Sequence, residues 1–468
     1  MMTNHKSWLI IAALLLVTQL CIEISAEAVE ASDVELFCYP ELYKNTRKSC
    51  ECISEGSAPW GLRVLNIDCS FKSLLTADFS EILPPYADRL DLTWNQLERV
   101  PMLASDSLTL LNLMHNNISV VLAKNFVKVS NLRELYLSWN SIQTIEPYAF
   151  SDLPHLLVLD LSHNNLHNLA FQLFLPLQSL ETLNLSWNRQ LNQTEGIQDL
   201  DFYQTYGVNN KLRTLKLKAC NLNKIVLPKK VVLKELDLRR NSLTEVPENL
   251  PEGLEIIDLS ENLFVSLTES DAKRLRHIHE LYMEDMPRLI SIQENSLVPL
   301  ESLEKVSFQN SRSLVEMHEY SFGQNATRSP KLHTMIFRGT AMRGFNNTLS
   351  PIFFQLATLD LNGMPLHCDC NLVWIKEVRI ETHGRCFNPS RLRGVSLAKA
   401  DPNDFSCERW PRWVYGIIVL ALIALCSICI YFIVVGLRPN GGVTMRRKVG
   451  AGSPYARVTI EPNRQEHY

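Results

Sequence analysis

The stretch from Leu132 to Asn164, LRELYLSWNSIQTIEPYAFSDLPHLLVLDLSHN, contains one frame twice. Leu135 and Leu137 flank Tyr136, and Asn140 follows; Leu159, Leu161 and Asn164 repeat the frame 24 residues on. Alternation of this kind predicts a short strand with both leucines on one face. Working outward, the frame recurs at Leu90/Leu92/Asn95, Leu111/Leu113/Asn116, Leu183/Leu185/Asn188, Leu215/Leu217/Cys220, Leu236/Leu238/Asn241 and Ile257/Leu259/Asn262. Weaker copies sit at Leu281/Met283, Val306/Phe308, Met335/Phe337 and Leu359/Leu361. The twelve anchors, from Leu90 to Leu359, are spaced by 21 to 32 residues and define turns 1 to 12. A period of this length means stacked turns, each burying its leucines against the next. The Asn is expected inside the coil, bonding backbone groups where the chain leaves the strand. Cys220 falls at that ladder position, where a buried free thiol is normal. Met286, Ser311, Thr340 and Met364 replace the Asn in the last four turns, so the ladder is expected to be irregular there.

The frame L-x-x-L-x-L-x-x-N/C-x-L is that of leucine-rich repeats. Beyond it lies Pro365-Leu366-His367-Cys368-Asp369-Cys370-Asn371-Leu372, with Trp374 two residues on; before it lie Cys50-Glu51-Cys52 and Asp68-Cys69-Ser70. With these motifs, residues 38–407 resemble an extracellular leucine-rich-repeat protein with cysteine caps at both ends. The resemblance implies an α/β solenoid, a horseshoe with a parallel concave sheet. It also implies the disulfides Cys38–Cys52, Cys50–Cys69, Cys368–Cys386 and Cys370–Cys407. The eleven residues between Cys38 and Cys50 are more than the family usually has. Caps cover the open ends of the apolar core and its strand edges.

The chain ends place this array. An apolar run from Trp8 to Leu20 follows Lys6 and precedes Ile24-Ser25-Ala26, the pattern of a secretory signal peptide, too short to span a bilayer. Val414 to Leu437 holds no charge and reaches about 36 Å as a helix, enough to cross with some tilt. Arg438 and Arg446-Arg447-Lys448 follow it, the positive-inside pattern. The expected organisation is a signal peptide over 1–26, an N-terminal region with its cap over 27–86 and repeats over 87–364. A C-terminal cap over 365–407, a juxtamembrane segment over 408–413, a membrane helix over 414–437 and a cytoplasmic tail over 438–468 complete it. Even cysteine clusters at both ends suit an oxidising compartment better than zinc, whose structural sites prefer wider spacing. The whole chain, at 468 residues and 46% hydrophobic, carries a net charge of −4. That excludes a disordered or collagen-like chain and argues against nucleic acid as partner.

Candidate binding residues lie at the exposed positions of the frame. One column precedes the ladder residue: Trp94, His115, Trp139, His163 and Trp187, rings expected to stack roughly 5 Å apart and to form a contact ridge. The pattern is equally an ordinary variant of the repeat. Turns 6 and 7 expose Arg213, Lys216, Lys218, Lys234, Arg239 and Arg240. Turns 8 and 9 expose Glu255, Asp258, Glu261, Glu280, Glu284 and Asp285. A basic patch beside an acidic one can orient a protein ligand, or simply pair with itself across strands. The 32-residue step between turns 5 and 6 inserts about eight residues around Gln193–Asn210, a place where specificity loops occur. Five N-x-S/T sequons mark candidate glycosylation sites, Asn117, Asn184, Asn192, Asn325 and Asn346. Asn184 is placed on the exposed centre of its strand, where a glycan would project beside the rings. In the tail, Tyr455 to Val458 fits a tyrosine sorting pattern, and Glu466-His467-Tyr468 resembles a PDZ-binding terminus. No catalytic motif occurs and no cofactor is expected. The expected function is a cell-surface receptor or adhesion molecule that binds an extracellular or membrane protein. The alternatives are a cis accessory subunit or co-receptor, or an innate-immune decoy.

Overall fold

Alternating leucines fold here into three-residue strands, because each strand only has to carry one inward side chain between two outward ones. The computed structural model describes residues 50–57, 63–75, 83, 86–191, 202–325, 329, 331–407 and 412–436. Residues 50–406 belong to one compact unit and the C-terminal helix to another.

The first unit is a solenoid. Its main sheet has 14 strands, of which the last twelve are the predicted turns in chain order. The pairing between turns is parallel, and the anchors stand opposite one another: Leu90 on Leu111, Leu135 on Leu159, Leu183 on Leu215, Leu236 on Ile257. Every anchor from Leu90 to Leu359 is fully buried. Each such leucine contributes about 1.5–3 kcal/mol of transfer free energy, but only when the next turn covers it. At the N-terminal end the antiparallel pair Glu51–Ser57 and Arg63–Asp68 closes the sheet edge.

Opposite the sheet, the turns run through irregular backbone rather than regular helices. Two-residue strands pair there in two small sheets, and described helices on the turns are short: Phe202–Tyr206, Glu269–Arg274 and Ser350–Phe353. Periods of 21 to 25 residues leave little chain for a full helix after strand and bends. Phe126, Phe150 and Phe174 fill this side, with ring centroids 6.2 and 6.4 Å apart. The described end of the insert folds back onto it: Phe202, Tyr203 and Tyr206 are buried, and the backbone N–H of Phe174 donates to the Tyr206 carbonyl. Its remaining residues, 193–201, lie outside the described set.

The asparagine ladder is continuous through turn 5. The Asn164 amide donates to Leu137 and Leu161 carbonyls, and its oxygen accepts from Ile142 N–H. Cys220 keeps only part of the role, its thiol 3.3 Å from the Leu185 carbonyl oxygen. Burial pushes that thiol up to about 12. Asn241 and Asn262 resume the full pattern. In the last four turns Ser311 still bridges Met283 O and Met286 N, while Met286 and Met364 are simply buried.

Disulfides join Cys50 to Cys69 and Cys368 to Cys386, the pairs the resemblance implied; Cys52, Cys370 and Cys407 are disulfide-bonded too. Cys38 lies outside the described residues. Trp374 packs edge-on against Phe353 at 5.6 Å, seating the C-terminal cap on turn 12. The second unit is the helix Arg412–Gly436; its segment Trp413–Ile433 is long and apolar enough to cross a membrane. The segments read as signal peptide and tail, with Tyr455, Val458, Glu466 and Tyr468, lie outside the described residues.

Candidate functional site

As the chain leaves each sheet strand it turns sharply, and the residue before the ladder position takes a left-handed backbone. Trp94, His115, Trp139, His163 and Trp187 all have φ between 52° and 64°. Later turns place Ala219, Arg240, Glu261, Asp285, Asn310, Gly339 and Gly363 at the same point, all at positive φ, so the left-handed backbone belongs to the frame rather than to the rings. A residue with a Cβ there costs about 1–2 kcal/mol, least for Asn or Asp. Nine of the twelve turns accept a residue other than Asn or Gly, and five consecutive ones use the position for rings.

What they gain is a continuous stack. Centroids are 3.8 Å apart from Trp94 to His115, 5.2 Å to Trp139, 3.8 Å to His163 and 5.0 Å to Trp187, with planes within 18° of parallel. Phe71, in the cap, adds a sixth ring 5.6 Å from Trp94, also at positive φ. Each aromatic contact is worth about 0.5–1.5 kcal/mol beyond its area burial.

The stack ends in cations. Turn 6 has Ala219 in the column, too short to extend it. Arg240 reaches back across that gap, its guanidinium 4.7 Å from the Trp187 ring centre; Arg189 lies at 5.2 Å and Lys218 at 5.9 Å. Ring faces are thus covered by neighbours, and the column presents ring edges to solvent. Phe71 is 70% exposed, Trp94 50% and Trp139 49%, while His115, His163 and Trp187 are half-buried. Burial lowers both histidine pKa values below the ordinary one, with Asp160 partly opposing this at His163.

The charged patches pair with each other across strands. Lys234 meets Glu255 at 2.5 Å, Arg239 meets Asp237 at 2.9 Å and Asp258 at 3.2 Å, and Glu261 lies 3.8 Å from Arg240 and 3.9 Å from Lys218. Arg213 lies 3.8 Å from Glu181. Parallel register places most of these cations beside a carboxylate, so the two patches partly neutralise each other. Burial raises Asp258 to about 6, against the pull of Ser260 hydrogen bonds and Arg239.

Between rings and charges the sheet face has a depression of roughly 560 Å³, lined among others by Trp187, Asn184, Lys216, Arg239, Asp258 and Tyr282. Asn184 is the half-buried last residue of its strand, not its exposed centre. Asn117, Asn325 and Asn346 are exposed, and Asn192 lies outside the described residues.

Sequence reasoning found the five rings but missed Phe71, although Asp68-Cys69-Ser70-Phe71 copies the frame of Asp91-Leu92-Thr93-Trp94. It also missed the convergence of Arg189, Lys218 and Arg240 on one indole. No single-turn register reveals a side chain that reaches over two turns.

The family model described as leucine rich repeat matches residues 106–166 and 130–189. Chondroadherin-like protein of Homo sapiens is 38% identical over 84 residues, 17% of this chain and 10% of its own length. Podocan of Mus musculus is 30% identical over 197 residues, 42% of this chain and 31% of its own length. The chain thus spans less than a third of either relative. Among solved structures, a chain of the octameric complex of Latrophilin 3 (Lec, Olf), Unc5D (Ig, Ig2, TSP1) and FLRT2 (LRR) aligns over 75% of this chain and 97% of itself. Its TM-score is 0.43 at 19% identity.

Proposed function

We propose that this leucine-rich-repeat protein is a cell-surface recognition molecule that binds an extracellular or membrane protein along the ring column. The observation that carries the reading is the continuous ring stack with exposed edges, at a position where later turns carry Ala219, Arg240, Glu261 and Asp285 on the same left-handed backbone. Aromatic edges held rigidly at one spacing suit a protein partner, since little side-chain freedom is lost on binding. Closed ring faces disfavour ligands that need to stack on a free ring face, such as unpaired bases. The exposed rings Phe71, Trp94 and Trp139 are the contacts we assign. Arg239 and Arg240 serve mainly to brace the sheet face and the end of the stack. In this reading the signal peptide is removed, the solenoid faces outward, Trp413–Ile433 spans the plasma membrane and the tail is cytoplasmic. Tyr455 to Val458 and Glu466 to Tyr468 are then available to sorting or PDZ adaptors.

Cells displaying the full-length protein, mixed with cells displaying a library of surface proteins, test the reading. Clustering that requires the partner on the opposing cell supports adhesion. Association only when both proteins share one cell supports a cis accessory role. Absence of any partner in both arrangements contradicts recognition.

A further inference from the structure

We propose that Asn184 carries an N-linked glycan whose first sugar occupies the depression on the sheet face, beside Trp187 and Lys216. The proposal goes beyond partner binding and rests only on the reading that the chain enters the secretory pathway. Asn184-Leu185-Ser186 is a sequon, and Asn184 closes the strand Thr182–Asn184 between Asp160 and Lys216. Its Oδ1 accepts from the Ser186 N–H at 3.1 Å. Asp160, Asp237 and Asp258 make the same bond in their own turns, so a carboxylate would serve the fold equally well. Asn112 makes it too, but also uses its Nδ2 to reach Asp91 at 3.3 Å. Among the described residues, the Asn184 Nδ2 makes no hydrogen bond. The fold therefore has no use for the amide nitrogen that the strand ends on.

The surroundings fit a sugar. The depression's roughly 560 Å³ lies within the about 300–1,000 Å³ of sites that enclose a small ligand. The Trp187 indole forms part of the wall, and the other lining residues include Ser162, Lys216, Glu235 and Asp237, which offer donors and acceptors to hydroxyl and acetamido groups. The other described sequons differ. Asn346 donates from Nδ2 to Glu319 at 2.7 Å and caps Thr348, and neither it nor Asn117 or Asn325 lines this depression. In the covalent step, a bond forms between Asn184 Nδ2 and the anomeric carbon of an N-acetylhexosamine. The bond from that carbon to the diphosphate of a lipid-linked oligosaccharide donor breaks, and the amide gives up one proton. A glycan so seated closes the sheet face around turns 4 to 9. The ring edges of Phe71, Trp94 and Trp139 lie outside the residues that line the depression and stay open for a partner.

Full-length protein from the surface of cultured cells, wild type and Asn184→Asp, tests this by glycopeptide mass spectrometry and hydroxyl-radical footprinting. Asp keeps the Ser186 bond, so the variant retains the local fold. The expected result is a glycan at Asn184 and its loss in the variant. Trp187 oxidation should rise several-fold in the variant while Trp94 and Trp139 stay unchanged. An unmodified Asn184 in protein that is glycosylated at Asn117 overturns the site. A glycan at Asn184 with equal Trp187 oxidation in both proteins overturns its seating. No glycan at any sequon overturns the secretory reading, and this proposal with it.

Discussion

Replacing Asn188 by Ala tests how the solenoid is held together. Asn188 is fully buried in turn 5. Its amide donates to the carbonyls of Leu161 at 3.0 Å and Leu185 at 2.8 Å, and its oxygen accepts from Leu166 N–H at 3.1 Å. Alanine leaves the buried Leu166 N–H without a partner, while the Leu161 and Leu185 carbonyls each lose one donor but keep Asn164 Nδ2 and the Cys220 thiol. The unpaired N–H costs about 1–3 kcal/mol and each of the two lost carbonyl bonds about 0.5–1.5 kcal/mol, so the loss is about 3 kcal/mol. Cys220→Ala at the ladder position one turn on is the internal control. The thiol makes only weak contacts, at 3.3 and 3.6 Å, so its removal should cost about 1 kcal/mol. Solenoid turns open locally, so hydrogen exchange of the full-length protein in detergent is the suitable assay. Amides between Leu161 and Leu191 should exchange about 100-fold faster in Asn188→Ala, since each 1.4 kcal/mol is tenfold. Cys220→Ala should accelerate its own turn less than tenfold. Equal effects of the two substitutions, or no local change in Asn188→Ala, would refute the ladder argument.

Three further outcomes follow from the same geometry. Asp258 has a raised folded pKa, about 6, so its ionisation opposes folding and stability is lost as pH rises through that value; Asp258→Asn should leave the melting temperature at pH 7.4 unchanged or higher, with Asp237 still holding Arg239, and a clear drop would contradict this. His115 and His163 have lowered folded pKa values, so their contribution is complete above the unfolded histidine value of about 6.5 and is lost as pH falls through the folded values. Histidine NMR titration should show both midpoints below the ordinary one, and midpoints above it would be the wrong sign. Gly207 sits at φ 69°, and a Cβ there would lie 2.8 Å from Leu175 Cβ, so Gly207→Ala should destabilise the solenoid by about 2 kcal/mol or more in chemical unfolding.

The solenoid was legible because its driving force is local and periodic. Leu135 and Leu137 alternate, and the same pair returns at Leu159 and Leu161, so face and period read directly from the chain. The ladder was legible for the same reason, including Cys220 as a weaker stand-in for Asn. Ring stacking at His115 and His163 also followed from register. Three features did not. The fate of Arg239 depends on Asp258 standing opposite Asp237 in the next strand, a pairing between turns that composition within a turn does not reveal. Arg240 covers Trp187 because Ala219 leaves space, which only side-chain reach in three dimensions shows. The insert looked like an outgoing polar loop, yet Phe202, Tyr203 and Tyr206 pull its described end inward, an apolar signal diluted by the Asn and Gln around it.

The ring column as the contact surface is the central claim, and one comparison tests it most directly. Wild-type full-length protein and the double variant Trp94→Ala, Trp139→Ala would be displayed on cells at matched surface levels and titrated with the partner found in the mixing screen. Both tryptophans are about half exposed, and neither replacement leaves a buried group unpaired. Two aromatic anchors at about 2 kcal/mol each predict an affinity loss of at least 100-fold, with display unchanged. Affinity within threefold of wild type would contradict recognition by the rings and move the site elsewhere on the solenoid.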